Sequence, residues 1–224
     1  GGNMPIKVYA ADMHRLPRQD HDAWARIPVT IASDVTAGQV IADPHIRPLR
    51  PFPLGRRMVG QAVTAWCERG DFGPVLHALD IARAGDVIVV DAGGCVQTAY
   101  AGEILCNYAR SKGIAGLVVN GALRDIDTIA SWEDFPAFAS GNTARGPLSK
   151  DRGFVNGEMV FAGVAVRPGD IVLGDNDGLA IIPRGRACAV LDEAQKRVAM
   201  EEGWMARLAG GRTLGDVFGL DVVK

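Results

Sequence analysis

Two periods of hydrophobic and polar residues succeed one another along this chain, and each change of period marks an element. Met58 to Trp66 (MVGQAVTAW) alternates as a strand does, whereas Pro74 to Gly85 (PVLHALDIARAG) places apolar residues three and four apart. The second spacing predicts a helix, with Gly85 as its stop. Val87 to Val90 follows as an unbroken β-branched run, the mark of a strand covered on both faces. The pattern turns helical in GEILCNYARSKG (102–113) and strand-like in AGLVVNG (115–121), before a loop ALRD (122–125). These pieces make a βαβ unit, with DAGGCVQTAYAG (91–102) expected as the loop into its helix.

The flanks are more mixed. DHDAWARIPVTIASDVTAG (20–38) predicts a short helix and a turn, and PHIRPLRPFPLG (44–55) is a proline-laced loop that can continue neither helix nor central strand. From FPAFAS (135–140) onward strands dominate, and 158–183 alternates between the turn formers RPGD and DNDG, which predicts a β meander. Ala187 to Gly211 carries apolar positions every three or four residues and ends on glycines, a long amphipathic helix. The expected architecture is α/β: layered sheets with helices outside, in one domain over 4–224. Gly1, Gly2 and Asn3 read as an added leader and are set aside.

Composition narrows the function. The 224 residues are 48% hydrophobic, enough for a well-filled core, and 24 basic residues nearly offset 26 acidic ones. Without a basic stripe, a nucleic-acid partner has no electrostatic support. Cys67, Cys95, Cys106 and Cys188 lack ligand spacing and read as reduced thiols of a cytoplasmic protein, without zinc. No apolar run is long enough for a membrane span and no signal-peptide pattern is present. VVDAGG lacks the second GxG of a nucleotide loop, DNDG lacks the remaining ligands of a calcium loop, and His14, His21, His45 and His77 are scattered.

The candidate chemistry lies at the ends of the βαβ unit. Its two strands run parallel, so the segments leaving them emerge at one sheet edge, the edge where open α/β sheets place ligands. Glu103, Arg124 and Asp125 are therefore expected to converge. Each alone has a structural reading: a carboxylate at a helix start suits the helix dipole, and Arg-Asp after a strand suits a solvated loop. Together they offer hard oxygens for Mg²⁺ or Mn²⁺ and a guanidinium for an enolate. Backbone N–H groups of Gly102, Glu103 and Ile104 are available for a small carboxylate. That combination suits a 2-oxo acid. Asp34 in IASDV is a further residue that can border the site, or form an Asx turn.

These residues sit in a wider pattern. IASDV (31–35), LGRRMVGQAVTA (54–65), GDVIVVDAGG (85–94), AGEILCNYARSKGIAGLVVNGALRD (101–125), DFPAFASG (134–141) and GVAVRPGDIVLGDNDGLAIIP (163–183) occur in this order. In them the chain resembles the regulator of ribonuclease activity A-like family, which includes divalent-metal-dependent 4-hydroxy-4-methyl-2-oxoglutarate/4-carboxy-4-hydroxy-2-oxoadipate aldolases. The most specific feature is an acidic residue followed after twenty positions by Arg-Asp, here Glu103, Arg124 and Asp125. The resemblance implies a layered β/β/α fold, assembled as a homotrimer or a doubled hexamer with active sites between subunits. It implies that Asp125 binds Mg²⁺ or Mn²⁺, that Arg124 contacts the substrate carbonyl, and that amides of Gly102, Glu103, Ile104 and Leu105 hold the pyruvoyl carboxylate. It further implies that Glu201, or less favourably Glu202, of a neighbouring subunit reaches the metal through water. Lys150 can contact a distal carboxylate or face solvent, and Trp204 and Met205 read as core or subunit-contact residues. The expected activity is metal-dependent retro-aldol cleavage to pyruvate, with Glu103, Arg124 and Asp125 catalytic and with oxaloacetate decarboxylation at the same site. The alternative is a non-catalytic ribonuclease-regulator-like binding protein.

Overall fold

Val87 to Val90 are each 0% exposed, as a run covered on both faces requires, and the sheet is built outward from them. A computed structural model describes residues 5–221; residues 1–4, with the expected leader and the expected first residue of the domain, and 222–224 lie outside the described residues. In chain order the first half holds β1 (Lys7–Val8), α1 (Arg18–Trp24), α2 (Val29–Val35), β2 (Arg47–Pro48), β3 (Met58–Cys67), α3 (Gly73–Ile81), β4 (Asp86–Ala101), α4 (Glu103–Ser111) and β5 (Gly116–Leu123). The second half holds α5 (Ile126–Ser131), β6 (Ala137–Asn142), β7 (Gly153–Val155), β8 (Met159–Phe161), β9 (Val164–Val166), β10 (Ile171–Asp175), β11 (Gly178–Ile182), α6 (Ala187–Ala209) and α7 (Leu214–Phe218).

β3, β4, β5 and β6 lie side by side and parallel, with β2 antiparallel on the outer side of β6. The other side of β3 is shared, its start pairing with β10 and its end with β7. Strand residues alternate between two cores. Val63, Ile88, Val90, Leu117 and Val119 pack with α3, α4 and α5 through Val75, Leu79, Cys106 and Ile129. Ala62, Val87, Val89, Val118 and Phe138 pack with the separate β8–β9 sheet and with β10 and β11. The expected β/β/α layering is therefore present. Among the described residues no helix is long and apolar enough to cross a membrane.

Four expectations need correction. Residues 91–101 are not a loop but the second half of β4, interrupted by register shifts between Asp91 and Cys95, Cys95 and Ala99, and Ala99 and Ala101. The 158–183 meander is two separate hairpins. RPGD carries the chain from the small β8–β9 sheet into the large one, and only DNDG is a hairpin turn, closed by the pair Asp175 and Gly178. α3 stops at Ile81, four residues before Gly85, whose φ of 86° opens the turn into β4. The short helix expected in 20–38 is two, α1 and α2, separated by a bend before Pro28. The long C-terminal helix forms as α6, but only Ala187, Val190, Leu191 and Ala194 of it are buried. Farther along, Trp204 meets Phe218 of α7 edge-on at 5.1 Å, while Met205 is 68% exposed.

One buried carboxylate ties the segment 149–152 to the body. Asp71 accepts bonds from Ser149 Oγ at 2.7 Å and from the N–H groups of Gly73, Asp151 and Arg152 at 2.9, 3.0 and 3.1 Å. Burial would raise its pKa, but these bonds outweigh burial and hold it below the ordinary aspartate value. A depressed folded-state pKa contributes stability that is present above the unfolded value of about 3.9 and is lost as pH falls through the folded one. Ser149→Ala removes one charge-assisted bond, so urea denaturation near neutrality should show a loss of roughly 2 kcal/mol. The acid-unfolding midpoint should move to higher pH; an unchanged acid limb would contradict this role.

Candidate active site

The register of β4 and β5 builds the site. Ala101 pairs with Leu123, so the residues leaving both strands stand side by side, and the Arg124 N–H donates to the Ala101 carbonyl at 3.1 Å. Gly102 and Glu103 start α4 on one side, while Arg124 and Asp125 lead into α5 on the other. Asp125 is left-handed, at φ 56° and ψ 42°, an uncommon conformation for a non-glycine residue that costs on the order of 1 kcal/mol. It occupies the N-cap of α5 yet makes no side-chain bond to that helix. Instead its Oδ2 accepts the Glu103 N–H at 2.9 Å, capping the neighbouring helix. The chain thus spends backbone strain to hold one carboxylate against the start of α4.

Two glycines make the close approach possible. A Cβ at residue 102 would stand 2.5 Å from Asp125 Oδ2 and 3.0 Å from Arg124 Cγ, and one at residue 146 would stand 3.1 Å from Arg124 Nη1. The cleft that results has a volume of about 580 Å³ and is lined by Glu103, Arg124, Asp125, Asp127, Thr128 and Thr143, among others. Glu103, Arg124 and Asp125 are exposed in it. Arg124 forms no ion pair with any described residue, leaving its guanidinium available to an anion. Beneath them burial, aided by the Asp125 charge, pushes the Cys106 thiol up to about 12, so this cysteine stays neutral.

Asp125 is the carboxylate in this cleft that could hold a hard divalent cation. Asp125 uses one carboxylate oxygen for the Glu103 N–H, and Mg²⁺ sites commonly take only one or two protein carboxylates, with water and substrate completing them. Among the described residues no group of three or more His, Cys, Asp or Glu side chains comes together, so a protein cage is not formed within one chain.

The three expected residues therefore meet in one cleft. The expected amide cradle is reduced by one: the Glu103 N–H is engaged by Asp125, which leaves those of Gly102, Ile104 and Leu105 at the start of α4. Glu201 does not line this cleft; its Oε1 accepts from Arg197 Nε at 3.1 Å on its own helix. Glu202 and Lys150 are exposed and also lie outside the lining. Asp34 forms an ion pair with Arg197 at 3.4 Å instead of bordering the site. Sequence reasoning missed Asp127, Thr128 and Asn142 to Ala144. The signal was available for the last group, because β6 is parallel to β5, with Leu123 opposite Asn142, and ends at the same edge.

Comparison with known proteins shows what the chain is similar to. A family model described as RraA-like, aldolase/RraA, matches residues 30–181. A protein of Halalkalibacterium halodurans bearing the provisional name 4-hydroxy-4-methyl-2-oxoglutarate aldolase is 39% identical over 79% of this chain and 82% of its own length. The crystal structure of a Pseudomonas syringae protein superposes with a TM-score of 0.81 at 24% identity, covering 93% of this chain and 97% of that one, which speaks to the fold. The RNA-processing inhibitor RraA of Thermus thermophilus superposes with a TM-score of 0.62 at 29% identity, over 70% of this chain and 92% of its own. The chain belongs to the RraA-like family of aldolases and RraA proteins.

Proposed function

We propose that the protein is a carbon–carbon lyase that cleaves 4-hydroxy-4-methyl-2-oxoglutarate, or a related 4-hydroxy-2-oxo acid, to pyruvate with the help of Mg²⁺ or Mn²⁺. The observation that carries this reading is Asp125: a strained carboxylate held against the start of α4, with Arg124 and Glu103 on the same cleft. Asp125 would hold the cation, which supplies Lewis-acid polarisation of the 2-oxo group when bound. The Ile104 and Leu105 N–H groups receive the substrate's C1 carboxylate. Glu103 takes the proton of the C4 hydroxyl, the C3–C4 bond breaks, and C4 becomes the carbonyl of the leaving product. The electron pair passes to the C2 oxygen as an enolate, whose charge the Arg124 guanidinium stabilises. Protonation at C3 then yields pyruvate. Oxaloacetate losing CO₂ forms the same enolate, so this site would decarboxylate it too.

In this reading copies of the chain assemble as a trimer or hexamer, and Glu201 of a neighbouring copy adds to the cation's surroundings after exchanging its bond to Arg197. Ile104, 82% exposed beside the cleft, and Met200 and Met205, exposed on α6, are consistent with such a covering partner. The test is pyruvate release from 4-hydroxy-4-methyl-2-oxoglutarate and from oxaloacetate, with Mg²⁺ or Mn²⁺ and then with chelator. Chelation should abolish turnover of both substrates and added metal should restore it. Absence of metal-dependent turnover of either would favour a binding role of the kind named for the Thermus protein.

A further inference from the structure

A second cleft, of about 550 Å³, opens between the end of β3 and the middle of β4, and none of its lining residues belongs to the Asp125 cleft. Trp66 pairs with Asp91 and Asp91 with Asn120, so three parallel strands present these side chains in one row on one face. The row is organised. Phe154 stacks on the Trp66 ring at 5.5 Å with 9° between planes. Asp91 Oδ1 accepts from the Gly93 N–H at 3.2 Å and from Asn120 Nδ2 at 3.1 Å. His45 Nε2 in turn donates to Asn120 Oδ1 at 3.1 Å, which fixes the amide. Both protein donors go to one oxygen of Asp91, and Oδ2 is left over. Burial holds this carboxyl above the ordinary aspartate value despite those two bonds. A donor brought by a ligand would therefore meet a poorly solvated acceptor. Arg69 lines the same cleft and, unlike Glu68, which pairs with Arg152 at 3.4 Å, has no ion-pair partner among the described residues. An aromatic wall, one unshared carboxylate oxygen and one unpaired cation are the few convergent features of a small-molecule pocket.

We infer that this cleft is a second binding site, for a small flat carboxylic acid bearing a hydrogen-bond donor away from its carboxylate. The ring lies against Trp66, the donor meets Asp91 Oδ2 and the carboxylate meets Arg69. The inference does not depend on the lyase reaction, and its test is made without turnover, by calorimetric titration of the whole protein in chelator. The probe 4-aminobenzoate has all three features, benzoate lacks the donor and 4-aminobenzamide lacks the charge. 4-Aminobenzoate should bind saturably and at least about tenfold tighter than either of the others, the effect of one charge-assisted bond. Arg69→Ala, at an exposed position, should weaken 4-aminobenzoate about tenfold and leave 4-aminobenzamide unchanged. Asp91→Ala should erase the advantage of 4-aminobenzoate over benzoate. Arg124→Ala should not alter binding. Absence of saturable binding, equal affinities for the three probes, or sensitivity to Arg124→Ala but not to Arg69→Ala would each overturn the assignment.

Discussion

Asp125→Asn is expected to lower kcat/KM for 4-hydroxy-4-methyl-2-oxoglutarate by about 10³-fold or more while the protein stays folded. Asparagine tolerates the left-handed backbone and its side-chain oxygen can still accept the Glu103 N–H, so geometry is retained and only charge is removed. A thousandfold loss corresponds to roughly 4 kcal/mol of transition-state stabilisation, the scale of an ion that anchors developing enolate charge. The affinity for Mn²⁺, measured directly, should fall with it. Asp125→Gly relieves the strain at φ 56° but also gives up the bond from the Glu103 N–H, so its stability should stay within about 1 kcal/mol of the parent while activity is equally lost. That pairing separates the two duties of the residue. Stability held within that margin as activity disappears is the signature of a residue kept for function, whereas a variant that lost both would mark a structural residue. Substantial turnover by Asp125→Asn would refute the cation assignment.

How much of this was legible in the sequence depended on the kind of pattern each element carries. Val87 to Val90 announced a doubly covered strand because four consecutive apolar side chains have no solvent-facing alternative. The convergence of Glu103 with Arg124 and Asp125 followed from parallel strands sharing an edge, and needed only that the βαβ unit be recognised. The second half of β4 was hidden for a definite reason: its three register shifts break the period of two, and Gly93 and Gly94, at φ 62° and 76°, resemble a loop. Alternation also misled in β10 and β11, where every residue is buried because β8 and β9 cover one face and α2 and α6 cover the other, forming a third core with Ile171, Leu173, Ala180 and Ile182. The conformation of Asp125 could not be foreseen at all. No glycine marks the left-handed position, and the residue's composition and spacing fit an ordinary helix cap.

The glycine that permits the arrangement provides a sharper test than any ligand residue. Gly102→Ala adds one methyl group 2.5 Å from Asp125 Oδ2, closer than real Cβ contacts allow, and a tight 3.0 Å from Arg124 Cγ, so the Asp125 carboxylate must move and the Arg124 side chain must give way. The backbone at residue 102, at φ −149°, is extended and open to any residue, so the substitution should not undo α4. No charge is removed and no proposed contact to substrate is deleted. A displacement of the order of 1 Å at a reacting group costs about 10²-fold in rate, and that is the loss expected here, mostly in kcat. Gly185→Ala is the matched control, since a Cβ there meets nothing within 4 Å, and it should leave activity unchanged. If Gly102→Ala kept full activity, the carboxylate of Asp125 would not be working from the position it occupies against the start of α4. If it lost activity only in proportion to lost thermal stability, the glycine would be serving the fold alone. Loss of rate with an intact melting curve is the outcome that ties the strand register of β4 and β5, through a single missing side chain, to the chemistry proposed for the cleft.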